Sequence, residues 1–104
     1  VKIIDEAMQI ATNGTDGFHL SLDINVVDPE EAPGVSVPEV SGITKEDFLL
    51  ATEVFMSYKD KLRSIDLVEY NPKYDKDNQT LNLAINALEK IFRNLQKAVD
   101  NNSN

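Results

Sequence analysis

Ser21-Leu22-Asp23-Ile24-Asn25-Val26-Val27-Asp28-Pro29 is the stretch on which the reading of the fold turns. Together with Phe18-His19-Leu20 before it, the stretch alternates. His19, Ser21, Asp23 and Asn25 fall on one side, and Leu20, Leu22, Ile24 and Val26 on the other. Period two with branched side chains predicts a strand over residues 18–27. Upstream, Ile3, Ile4, Ala7, Met8 and Ala11 recur at spacings of three and four, which predicts a helix over residues 1–12. Asn13-Gly14 ends that pattern, and residues 14–17 form a turn where glycine supplies positive φ cheaply. Downstream, residues 28–43 hold three of the four prolines and two of the four glycines. No regular element survives that density. Its several apolar members predict a packed loop, and loops of this length are commonly functional.

Thr44 followed by Glu46 and Asp47 reads as an N-cap with acidic residues in the first turn. Phe48, Ala51, Phe55 and Tyr58 or Lys59 mark one face of a helix running to about Lys61. Arg63 to Tyr70 carries Ile65, Leu67 and Val68 and predicts a second, buried strand, stopped by Asn71-Pro72. A polar turn at Asp75–Asn78 leads into a long amphipathic helix with Leu81, Ala84, Ile85, Leu88, Ile91, Phe92, Leu95 and Val99 on its apolar face. Asn101–Asn104 reads as a frayed tail. The order helix, strand, loop, helix, strand, helix implies an α/β fold with a parallel sheet and right-handed crossovers. Parallel strands are normally covered on both faces. Two strands do not make such a sheet alone, so residues 1–104 read as the C-terminal third of a larger α/β domain, completed by further chain or by partner copies.

Composition narrows the function classes. A length of 104 residues fits one domain at most. The 18 acidic against 10 basic side chains, a net charge of -8, exclude the clustered cations that phosphate contacts need, so no nucleic-acid partner is expected. The same charge disfavours an anionic membrane surface, and no apolar run approaches the roughly 18 residues of a membrane span. With zero cysteines, thiolate metal sites and thiol nucleophiles are excluded. Nothing at the N-terminus resembles a secretory signal, so the expected setting is reducing and cytoplasmic.

Two acidic segments carry the chemistry. Asp23 and Asn25 stand two apart at the C-terminal end of the first strand, the end at which open α/β sheets bind ligands. A carboxylate there costs desolvation energy unless paired or bound to a cation, and an oxygen-rich pair suits a hard divalent ion such as Mg or Mn. The same pattern also fits Asp23 capping a loop backbone, with Asp28-Pro29 a simple turn. In Val68-Glu69-Tyr70-Asn71-Pro72 an acidic residue again ends a strand. If the strands are parallel, Glu69 leaves the same sheet edge as Asp23, where a carboxylate can pair bidentately with an amidine or guanidinium group. A structural bond from Glu69 to a loop fits the spacing equally well. His19, at the far end of its strand, reads as structural.

At these residues the chain resembles the ureohydrolases: arginases, agmatinases and formimidoylglutamases. The stretch 21–29 is similar to their Ser-x-Asp-x-Asp-x-x-Asp-Pro signature. Ala32-Pro33-Gly34-Val35-Ser36-Val37-Pro38, Gly42-Ile43-Thr44 and Val68-Glu69-Tyr70-Asn71-Pro72 resemble the segments that follow it. Over residues 71–80 the likeness leans towards formimidoylglutamases, with arginases next. The resemblance implies a three-layer α/β/α arginase-like fold, homo-oligomers, and a manganese pair that activates hydroxide for hydrolysis of a C–N bond in a small amidine or guanidino substrate, such as formiminoglutamate or arginine. It implies that Asp23 bridges the metals and that Glu69 orients the cationic group of the substrate. Asn25 falls where the family has a second metal-binding aspartate; an amide brings oxygen but no charge, so the second manganese should bind more weakly. The family's histidine in Gly-Gly-Asp-His and its Asp-x-His-x-Asp cluster have no match here. Residues 1–104 alone are therefore expected to be inactive. The alternative these departures raise is a diverged, non-catalytic module acting in binding or assembly.

Overall fold

The structure, a computed structural model, describes residues 2–38 and 41–102, with side chains described to residue 97. Helix α1 spans Lys2–Thr12, strand β1 Phe18–Asp23, helix α2 Lys45–Met56, strand β2 Leu62–Val68 and helix α3 Gln79–Asn102. β1 and β2 pair in parallel, from Phe18 beside Leu62 to Asp23 beside Val68, with α2 on the crossover between them. The α/β reading with a parallel sheet therefore holds.

Alternation along β1 decides where the core sits. Leu20 and Leu22 are buried in a cluster with Ile24, Phe48, Met56, Ala84, Ala87 and Ile91, so α2 and α3 cover that face. The opposite face carries His19 and Ser21 beside Ser64 and Asp66, and it is exposed. α3 faces the core through Leu83, Ala84, Ala87 and Ile91. Two members of its expected stripe, Ile85 and Phe92, lie seven apart on the flank and are 42% and 58% exposed. Val99 and residues 103–104 lie outside the side chains or residues described; Asn101 and Asn102, expected to be frayed, continue the helix.

Two boundaries and one burial differ from expectation. β1 stops at Asp23 rather than Val27, because Ile24–Val26 winds into a 3₁₀ turn capped by the Asp23 side chain. α2 stops at Met56 rather than near Lys61. The Ser57 hydroxyl donates to the Val54 carbonyl at 2.6 Å, satisfying a last-turn acceptor, and Lys59–Lys61 forms a separate 3₁₀ turn. β2 is not a buried strand: Ile65 and Leu67 are half-buried and Val68 is exposed, because only one face meets the core. The Thr44 cap is present, its hydroxyl accepting from the Asp47 N–H at 3.1 Å.

The proline-rich segment after β1 is packed, apart from residues 39–40, which lie outside the described residues. Ala32 and Val35 are buried, and Glu31 and Ala32 close a turn on the Asp28 carbonyl. Ile43 runs parallel to Val27, exchanging bonds with Val26 and Asp28. Gly42 makes this approach possible, since a Cβ there would meet the Val26 carbonyl oxygen at 2.5 Å.

Candidate functional site

Because β1 and β2 are parallel and end together, Asp23 and Glu69 leave the sheet at one edge: Asp23 pairs with Val68, and Glu69 is the next residue. That juxtaposition was expected. The expected face shared by Asp23 and Asn25 on one strand is not formed, because Asn25 sits in the 3₁₀ turn rather than on β1.

The turn arranges these two residues differently. One oxygen of the Asp23 carboxylate accepts from the Asn25 N–H at 2.9 Å, so the capping reading of Asp23 is realised. A carboxylate carries about four acceptor positions, so this single bond does not exhaust it. Asn25 Oδ1 is buried and has no hydrogen-bond partner. A buried acceptor left unmet costs roughly 1–3 kcal/mol, and a cation or a donor arriving at this point would recover it. Beside Asp23 lies a cavity of about 290 Å³ walled largely by Ile4, Leu22, Val26, Phe48 and Phe55. Such low-dielectric walls strengthen charge interactions at its rim.

At the second strand end the backbone itself is unusual. Glu69 has φ +73°, a left-handed conformation that costs a non-glycine residue about 1–2 kcal/mol. Its side chain is exposed at the edge. The residues after it are fastened to the proline-rich segment. Val35 and Tyr70 form an antiparallel bridge, the Asn71 N–H donates to the Gly34 carbonyl at 2.6 Å, and Asn71 Nδ2 donates to Ser36 Oγ at 2.9 Å. Asp75 then caps the start of α3, accepting from the N–H groups of Lys76, Thr80 and Leu81. Burial alone would raise its pKa, but the amides of Thr80 and Leu81, the Thr80 hydroxyl and the Lys76 amide outweigh that and hold it below the usual carboxylate range.

His19 is satisfied structurally, as expected. Its Nε2 lies 3.1 Å from Asp66 Oδ2 and its Nδ1 2.6 Å from Ser64 Oγ; with the carboxylate accepting from Nε2–H, the Ser64 hydroxyl donates to Nδ1. Ser21 Oγ donates to Asp66 at 2.6 Å. That bond, opposed by some desolvation and helped by His19, holds the Asp66 carboxyl below its usual range.

Among the described residues no three His, Cys, Asp or Glu side chains stand close enough to share a metal ion. The described residues therefore hold no complete ligand set at this edge, where the sequence placed Asp23 and Asn25. Gly34, Asn71, Asp75 and Thr80 were not singled out as site residues from sequence. Their signal is the close spacing of Asn71-Pro72 and a polar turn to Glu69, which fixes nothing until Gly34 is known to be their neighbour.

Asp23 and Glu69 thus stand at the carboxyl end of two parallel strands, beside a proline-rich return loop, the end at which open α/β sheets bind ligands, and comparison with known proteins supplies the class. Residues 1–93 match the model of the arginase family. The chain belongs to the arginase family, and its fold is arginase-like. It is 36% identical over 91 residues to an arginase of Brevibacillus brevis, covering 88% of this chain and 30% of that protein. It is 41% identical over 69 residues to a formimidoylglutamase of Vibrio parahaemolyticus, covering 66% and 20%. The native structure of arginase from Bacillus caldovelox superposes with a TM-score of 0.81 at 34% identity, covering 88% of this chain and 30% of that one. The chain thus spans about 30% of the length of the arginases it matches.

Proposed function

We propose that the chain is the C-terminal part of a manganese-dependent hydrolase that cleaves a C–N bond in a linear amidine, the formimino group of formiminoglutamate or the guanidino group of arginine. The observation that carries the reading is the Asp23 carboxylate at the edge from which Glu69 also leaves, with the Oδ1 of Asn25, two residues on, buried and without a hydrogen-bond partner. An unmet amide oxygen and a carboxylate make a hard-ion donor pair, which suits manganese. The remaining ligands come from elsewhere in the complete protein. Manganese bound there supplies a water activated for attack and an electrophile that polarises the group attacked.

The chain's own contributions are binding and orientation. Asp23 is held by its bond to the Asn25 amide, which fixes the carboxylate against the 3₁₀ turn and leaves lone pairs for a cation. Asn25 offers oxygen without charge, so it neutralises less of a divalent ion than aspartate does. Glu69, on its left-handed backbone, presents a carboxylate that pairs bidentately with the planar cationic end of an amidine. That pairing orients the carbon under attack. The half-uncovered sheet is consistent with completion by the rest of a larger domain and with homo-oligomers, and the absence of cysteine suits a cytoplasmic setting.

The test uses the complete gene product, loaded with manganese and assayed for urea release from arginine and agmatine and for formamide release from formiminoglutamate. Activity on one of these, abolished by a chelator and restored by manganese, is the expected result. Stoichiometric manganese binding with no hydrolysis of any guanidino or formimino substrate would overturn the reading and leave the diverged binding module, which Asn25 and the small donor set favour.

A further inference from the structure

We infer that the buried hydroxyl of Thr80 is a positioning group for Glu69, acting through Gly34 and Asn71; this rests on the reading of Glu69 as the carboxylate that orients the substrate. Thr80 is fully buried, and its Oγ1 accepts from the Gly34 N–H at 2.7 Å. The Gly34 carbonyl accepts in turn from the Asn71 N–H at 2.6 Å. Asn71 lies two residues after Glu69, and between them Tyr70 bridges to Val35. The strained turn at Glu69 is thus tied on its C-terminal side to a loop 35 residues earlier in sequence, and that loop is tied to the first turn of α3.

The chain of bonds is anchored at its far end. The Thr80 N–H donates to Asp75 Oδ1 at 2.9 Å, and the Leu81 N–H donates to Oδ2 at 3.1 Å. Asp75, ionised and held by these donors, fixes Thr80, and Thr80 fixes Gly34. The fit leaves no slack, since a Cβ on Gly34 would stand 2.9 Å from Thr80 Oγ1 and 3.0 Å from Asp75 Cβ. Only glycine lets the loop backbone approach that hydroxyl. A left-handed glutamate relaxes unless its surroundings over-determine it. Bonds at Gly34, Ser36 and Asn71 supply that determination, and the Gly34 bond, through Thr80, is the one rooted in a helix.

Thr80→Val keeps the shape and removes the acceptor, and Thr80→Ser restores it. Both are made in the complete gene product, with manganese content and kinetics on the preferred amidine measured alongside amide hydrogen exchange. In the unmodified protein the Gly34 and Asn71 amides are expected to exchange as slowly as those of β1; fast exchange there overturns the clamp without any variant. In Thr80→Val, exchange at Asn71 rises about tenfold or more and KM rises about tenfold, with manganese content unchanged. Thr80→Ser returns both to near the unmodified values. Unchanged Asn71 exchange or unchanged KM in Thr80→Val, or a defect that serine does not repair, overturns the proposal. Glu69→Gln separates the two levels. If Glu69→Gln leaves KM unaltered while Thr80→Val still loosens Asn71, the clamp is real, but the reading of Glu69, and with it the functional inference, falls.

Discussion

The two strand ends reach the same edge by opposite means. At the end of β1 the determinants are local: Asp23 caps the turn that follows it, two residues away, and the backbone keeps ordinary angles. At the end of β2 they are distant: Glu69 holds φ +73° beside a loop fastened through Gly34, Ser36, Asn71 and Thr80. One end leaves a side-chain atom unsatisfied, and the other strains a backbone. Both store free energy at a strand end; on the proposed function a cation would release it in the first case, and the second would keep it as orientation.

The contrast breaks most readily at Asp23. In the complete gene product Asp23→Ala should lower manganese affinity by more than about a hundredfold, beyond the loss typical of groups that merely support a metal ligand. Titration calorimetry showing unchanged affinity would make Asp23 only a cap. Asn25→Asp should act in the other direction. An added charge at a buried donor tightens divalent binding by about tenfold, because ligand charge count tunes hard-ion affinity. Equal affinities in the same calorimeter would mean that Oδ1 is not a ligand.

The second end is sharpened by comparing two substitutions at one position. Glu69→Gly should be more stable than Glu69→Ala by about 1 kcal/mol in chemical denaturation, because alanine keeps the left-handed strain and glycine does not. Ordinary φ at Glu69 in solution would reverse that order. The smallest effect is expected at the anchor. Asp75 has a lowered folded pKa, so its stabilisation is present in full above the usual carboxylate range and is lost as pH falls through the lower folded value. Asp75→Asn should therefore lower the thermal midpoint at neutral pH and flatten the loss of stability on acidification. Parallel acid profiles for the two proteins would show that the cap contributes nothing.

Legibility in the sequence follows the same division. Thr44, Asp23 and the Asn71-Pro72 stop act over two or three residues, so pattern reading found them. The parallel pairing was also legible, because helix and strand periodicities alternate. What pattern reading missed depends either on a local side-chain bond that competes with the strand or on partners far along the chain. The period-two alternation runs on through Val26, yet the Asp23 cap turns the backbone at Ile24, since a side-chain bond to the Asn25 N–H competes with extending the strand. The buried hydroxyl of Thr80 looks like any threonine in a polar turn until Gly34 lies against it. β2 looked buried because Ile65, Leu67 and Val68 are apolar, whereas its exposure depends on what else covers the sheet. In the candidate site, the identities of Asp23, Asn25 and Glu69 came from motif spacing, while the orphaned oxygen and the strained backbone came only from geometry.

The most direct test is an anomalous diffraction measurement at the manganese edge on crystals of the complete gene product grown with manganese. The account predicts a manganese peak within roughly 2.0–2.6 Å of an Asp23 carboxylate oxygen and of Asn25 Oδ1, with Glu69 facing it from the neighbouring strand end. Manganese bound elsewhere in the protein, with Asn25 Oδ1 met by a protein donor instead, would contradict it.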